Sequence, residues 1–268
     1  MDKKIIYINS ITIAILAIAA TTAGLYWKSL YKHDTVSIVA QMMGQDLITL
    51  TIGVSLLLIS LYLISKDSLR GRLIWMGTLF YFLYSYASMS FLTSYNQFFL
   101  VYVAIFSLSL YTFLGELVSI DVSIIKKSFN PGIISKIAAV FLILVGLMLA
   151  AMWLKMILES LLTGIVPVAL ESYTTLVIQA LDLGIVVPAA VLAGYLLIKN
   201  KKWGYTIASL FLIKASLIGT AIISMIFFMV MNGVTVSMGQ VYFFVIITLV
   251  GIIVAIGFYK NINGKVTW

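Results

Sequence analysis

Two ionisable side chains fall inside long apolar runs, and together they have the makings of an acid–base pair: Lys214 in the run 203–231 and Asp182 in the run 176–198. A charge at the centre of the hydrocarbon raises the insertion free energy by about 3 kcal/mol, so such residues face a partner, a cavity or a substrate path. Eleven residues in from Trp203, at about 1.5 Å each, Lys214 sits roughly 16 Å deep from the inner edge. Asp182 is six residues inside the outer edge of its run, roughly 9 Å deep by the same rise. A tight turn, Asn200–Lys202, joins the two runs, so the depths differ by only about 5 Å, within reach of a lysine stem. The sequence therefore predicts an Asp182–Lys214 pair, direct or through water. Such a pair either locks helix register or binds a substrate, an ion or a proton.

Other polar residues gather near these two. Gln179 lies three residues before Asp182, on the same helix face. Pro188, six residues after it, removes a backbone donor, and a kink there would free a carbonyl. Gln45 and Asp46 stand at the expected outer mouth of another run. There Asp46 is expected to cap the helix N-terminus, the alternative being a second acid that lines an outward vestibule. Tyr81, Tyr84, Ser85 and Ser88 follow a 0, 3, 4, 7 spacing, one helical face. A polar-aromatic stripe away from the interfaces faces protein or water, not lipid, either bonding to another helix or lining a cavity. Glu116 is expected as an interfacial charge near Lys126 and Lys127, Lys155 and Glu159 as a surface pair, and His33 as a solvated loop residue. Trp27, Trp75, Trp153 and Trp203 are expected in the interfacial aromatic belt.

The elements that position these residues follow from composition. Of 268 residues, 63% are hydrophobic and 10% charged; a soluble domain is typically about 45–50% apolar and about 25% charged. The chain reads as an all-α, polytopic membrane protein, because in lipid every backbone group must bond within the segment. Eight runs are long enough to cross, at about 5–27, 46–65, 73–94, 97–119, 136–158, 176–198, 203–231 and 240–259. With the N-terminus inside, Lys3, Lys4, Lys66, Arg70, Arg72, Lys126, Lys127, Lys136, Lys199, Lys201, Lys202, Lys260 and Lys265 fall on the inner side. Only Lys28, Lys32 and Lys155 fall outside. That asymmetry predicts eight spans in the cell membrane with both termini cytoplasmic. The first run, with Lys3 and Lys4 ahead of it and Ala17 and Ala19 within, has the look of a signal peptide; the repeat described next requires it, so it is expected to be retained.

The chain has internal self-similarity. Segment 45–81 can be laid beside 181–214 so that Asp46 meets Asp182 and, after a three-residue gap, Tyr62 meets Tyr195, Lys66 meets Lys199, Gly71 meets Gly204 and Tyr81 meets Lys214. Trp27 with Lys28 is likewise set against Trp153 with Lys155, and Gln97 against Gln240. Two parallel four-helix units are expected, 1–120 and 136–262, joined by a cytoplasmic linker, 121–135, with a binding site at their seam.

There is no cysteine and one histidine, which excludes disulfides, thiolate chemistry and a His-rich metal cage. The net charge of +8 is accounted for by topology rather than by nucleic acid. No P-loop, HExxH or GxSxG motif is present, so no cofactor or metal is expected and an enzyme is the lesser reading. Two functions compete: a transporter or permease for a small solute or ion, and a non-catalytic partner, sensor or assembly subunit of a larger membrane complex. An intramembrane lipid or quinone enzyme is a third possibility. A retinal Schiff base on Lys214 is a fourth, which the helix count disfavours.

Overall fold

The structure is a computed structural model that describes residues 1–130 and 132–263; Lys265 of the charge count lies outside them. It is helical, with no named strand among the described residues. The long helices are α1 (Lys3–Tyr26), α2 (Val36–Ser65), α3 (Leu69–Leu92) and α4 (Phe99–Ser119). After a short α5 (Val122–Ser128) come α6 (Ile133–Thr163), α7 (Val177–Ile198), α8 (Lys202–Met231) and α9 (Met238–Lys260). Seven of the eight long helices are both long and apolar enough to cross a membrane. The chain is thus a multi-pass membrane protein whose helices present apolar faces suited to lipid.

The eighth, α3, falls short on apolarity because it carries Arg70, Arg72, three tyrosines and several serines. It is also the most enclosed helix, with 16 of its 24 residues buried. A helix wrapped by protein does not need a lipid-facing surface, so its polar groups find partners in its neighbours. Trp75, expected in the belt, is fully buried here and its Nε1–H donates to Ser10 Oγ at 2.8 Å. Arg72 and Glu116 form a buried ion pair, with the Met1 amine 3.6 Å from the other carboxylate oxygen. Glu116 is therefore not an interfacial charge: α4 turns it inward, onto the arginine of α3. The surface pair Lys155–Glu159 and the exposed His33 stand where they were expected.

The helices pack in the same way in each half. In the first, α1 contacts α2 and α4, and α3 contacts α2 and α4; in the second, α6 contacts α7 and α9, and α8 contacts α7 and α9. The halves meet where α2 and α3 lie against α8, and α3 against the start of α7. Small residues allow these approaches. A Cβ on Gly44 would lie 2.4 Å from the backbone of Met225, and one on Gly77 would lie 2.9 Å from the Leu210 carbonyl oxygen.

Four local features recur at a single spacing of 133 residues. Helices α2 and α7 each contain one π-helical turn, Thr49–Gly53 and Asp182–Val186. Each closes on a left-handed residue, Asp67 and Asn200, both at φ 53°. Lys66 lies over the Tyr62 ring at 5.7 Å, and Lys199 over Tyr195 at 5.9 Å. Gly71 abuts Leu63 and Ile64, and Gly204 abuts Leu196 and Leu197. This register needs no gap: it sets Thr49, not Asp46, against Asp182, and Asp46 against Gln179. The π-turn of α2 contains no proline, so Pro188 alone does not account for the turn in α7.

Between α4 and α6, the short helix α5 packs against α8. Asp121 caps α5, and the backbone N–H of Ser123 holds its carboxyl below the usual carboxylate range. Residues 128–130 pair with 261–263 beyond α9.

The α7–α8 crossing is testable at Gly204, where a Cβ would fall 2.4 Å from the Leu197 nitrogen, and the α2–α3 crossing at Gly71, where it would fall 2.3 Å from Leu63 Cβ. Gly204→Ala and Gly71→Ala should each lower unfolding stability in detergent by about 1–3 kcal/mol. Gly184→Ala, with nothing within 4 Å of its added carbon, should leave it unchanged or raise it by up to about 1 kcal/mol. A Gly204→Ala protein as stable as the parent would refute the crossing.

Candidate functional site

Asp182 opens the π-turn of α7 and is 6% exposed. An acid at that depth needs donors, and two helices supply them. Tyr84 of α3 donates its hydroxyl to Oδ1 at 2.8 Å, and Trp153 of α6 donates Nε1–H to Oδ2 at 2.9 Å. Lys214 of α8, 4% exposed, lays its ammonium over the Tyr84 ring at 4.0 Å from the centroid, with the Phe80 ring at 5.9 Å. Among the described residues, no ion pair within 4.0 Å involves Asp182 or Lys214. Tyr84 stands between the expected partners, bonding one through its hydroxyl and the other through its π face.

The expected stripe on α3 divides. Tyr84 turns toward α7 and α8, while Tyr81 and Ser85 turn toward α2. Gln45 Nε2 donates to the Tyr81 hydroxyl at 2.6 Å and to Ser85 Oγ at 3.1 Å, and the Thr49 hydroxyl lies 2.7 Å from that of Tyr81. Thr49 and Tyr81 stand 133 residues before Asp182 and Lys214. The position that holds a neutral, directly bonded pair in the first half therefore holds an acid and a base in the second.

Asp46 does not cap a helix. Helix α2 begins ten residues earlier, capped by the Thr35 hydroxyl, because 36–45 is apolar enough to extend it. Asp46 is 2% exposed and accepts from the Tyr31 hydroxyl at 2.8 Å, so close to α1 that a Cβ on Gly24 would overlap its carboxylate. Burial, and then the adjacent carboxylate, push the Tyr31 phenol up, which keeps it a donor at neutral pH.

Above these groups a cavity of about 240 Å³ opens at the seam. Gln45 and Ser88 line it from the first half, and Gln179, Trp153 and Met225 from the second. Its roof, Ala169–Leu176, is tied to the loop before α2: Tyr173 donates to Asp34 Oδ1 at 2.7 Å, and Thr35 donates to Glu171. The loop before α2 and the loop before α7 thus close over the cavity together. Neither Asp182 nor Lys214 is part of the lining; Trp153, which lines the cavity, bonds Asp182 directly.

Of the residues expected in the site, Asp182, Tyr84 and Lys214 come together. Tyr81 and Ser85 join Gln45 in a second network, Gln179 lines the cavity, and Asp46 lies apart against α1. Trp153 is a correction: its belt-like position near Lys155 gave no sign that its N–H serves a buried acid. Comparison with known proteins returns no matching family model, no matching curated protein and no matching solved structure.

Tyr84→Phe removes the hydroxyl donor and keeps the ring under Lys214. It should lower unfolding stability in detergent by about 1–3 kcal/mol. Tyr84→Leu removes the ring contact as well and should lower it by roughly a further 1–2 kcal/mol. Equal losses in the two variants would show that the ammonium–ring contact contributes nothing.

Proposed function

We propose that the chain is a transporter or permease for a small solute or ion, working through the Asp182–Tyr84–Lys214 site. The observation that carries this reading is the cavity between the halves, whose wall residue Trp153 bonds the buried carboxylate beneath it. A charge-bearing cluster in the bundle interior, one side chain away from a cavity, is an arrangement a gated site for a substrate or coupling ion can use.

The architecture proposed with it has α3 as an eighth span and two parallel four-helix units, 1–120 and 136–262, with 121–135 as a cytoplasmic linker. The recurrence of π-turn, left-handed residue, cation–π pair and close glycine at one spacing supports tandem duplication. The lysine and arginine asymmetry supports a cell-membrane location with both termini cytoplasmic.

A second reading, a non-catalytic subunit or sensor, draws on one feature. The cavity stops short of Asp182 and Lys214, as it would if the cluster served only to lock α3, α6, α7 and α8 together.

The correspondence of Thr49 and Tyr81 with Asp182 and Lys214 supplies the test. Either charge removed alone leaves the other buried and uncompensated, a loss of about 3–5 kcal/mol. The double change Asp182→Thr with Lys214→Tyr installs the neutral pair the first half already holds. Reconstituted parent protein should give transport currents on solid-supported membranes with at least one member of a panel of small amines, amino acids and polyols. The double variant should fold and give none. No current from the parent, or undiminished current from a folded double variant, rejects the transport reading in favour of the second.

A further inference from the structure

We propose that the seam cavity is a binding site for a small organic cation, an amine or quaternary ammonium with a compact apolar body. This rests on reading the cavity as the outer mouth of a solute site, and it names the class of solute.

Size sets the first limit. About 240 Å³ is room for about eight waters at ~30 Å³ each, smaller than a pocket for a drug-sized ligand. Charge sets the second. Among the described lining residues the charged side chain is Glu171, in the roof; no lysine, arginine or histidine lines the cavity. The amide oxygens of Gln41, Gln45 and Gln179 add acceptors, and the Asp182 carboxylate lies just past the Trp153 wall. An anion would meet Glu171 and acceptor oxygens with no cationic side chain in the lining. A cation would meet Glu171 at the entrance, amide oxygens within, and the rings of Trp153 and Tyr173 in the wall. Methionines Met42, Met89 and Met225 supply adaptable apolar surface for methyl or methylene groups.

The seam already holds an ammonium by this chemistry. The Lys214 amine rests on the Tyr84 ring at 4.0 Å, and that tyrosine bonds Asp182. It reaches its place from α8, behind Tyr84, and does not enter the cavity. Aromatic face plus nearby carboxylate is therefore a combination that this bundle uses on its own cation. The cavity repeats it with Trp153, Tyr173 and Glu171, without a tethered cation.

The test uses full-length protein in nanodiscs and three probes of near-equal shape: choline, its uncharged isostere 3,3-dimethylbutan-1-ol, and the anion 3,3-dimethylbutanoate. Calorimetric titration should show choline binding about tenfold tighter than the alcohol, the scale of a desolvated cation–aromatic contact, and no binding of the anion. Glu171→Gln, at an exposed roof position, should weaken choline several-fold and leave the alcohol unchanged; Gln179→Leu should weaken both. Binding of the alcohol or the anion as tight as that of choline overturns the proposal. So does choline binding that is indifferent to both substitutions, or no binding by any probe. Each of these results leaves the transport reading to the current measurement, where a solute of another class can still be carried.

Discussion

A carboxylate in hydrocarbon must be met by donors from its own protein, because no water is there to serve. Asp182 is the point at which this constraint shapes the bundle. Its two oxygens draw Tyr84 from α3 and Trp153 from α6, and Tyr84 in turn seats the ammonium of α8. Helices from both halves thus converge on one acid. The π-turn that starts at Asp182 places it there: the extra residue in the turn rotates α7 locally, and such turns are frequent at functional positions.

The same turn at Thr49 shows what the constraint looks like without charge. Thr49 and Tyr81 bond each other at 2.7 Å, with Gln45 completing the network. The backbone frame is alike, yet this position holds a neutral, directly bonded pair in the first half and, in the second, an acid and a base with the Tyr84 ring between them. In the proposed duplication, the two copies differ at this position in charge: one holds two hydrogen-bonded hydroxyls, the other an acid and a base. The seam between them is where the cavity opens.

The loops before α2 and α7 extend this division. Tyr31 drops from the loop before α2 to the buried Asp46, and three residues later Asp34 receives Tyr173 from the cavity roof. Burial, and then its bond to the Asp34 carboxylate, push the Tyr173 phenol up, so the tie keeps its proton at neutral pH. The roof of the cavity is thereby anchored to the first half, although the chain of the second half forms it.

Membrane class, the approximate helix runs, the burial of Lys214 and Asp182, and the matching residue types at 62–81 and 195–214 were legible in the sequence. Each depends on local apolarity or on spacing along one helix. Partner choice was not legible. Whether Trp153 sits in a belt or bonds an acid, and whether Glu116 faces lysines in a loop or Arg72 in the core, depends on helix rotation. Rotation is decided by packing against neighbours distant in sequence. Helix α3 is the sharpest case: its moderate polarity looks like a weak span in isolation, and only its enclosure by other helices explains why tyrosines, serines and an arginine are tolerated there. The chain alone determined which residues must leave water; the tertiary structure decided what each would find instead, because a buried polar group is satisfied by whichever helix face the fold brings to it.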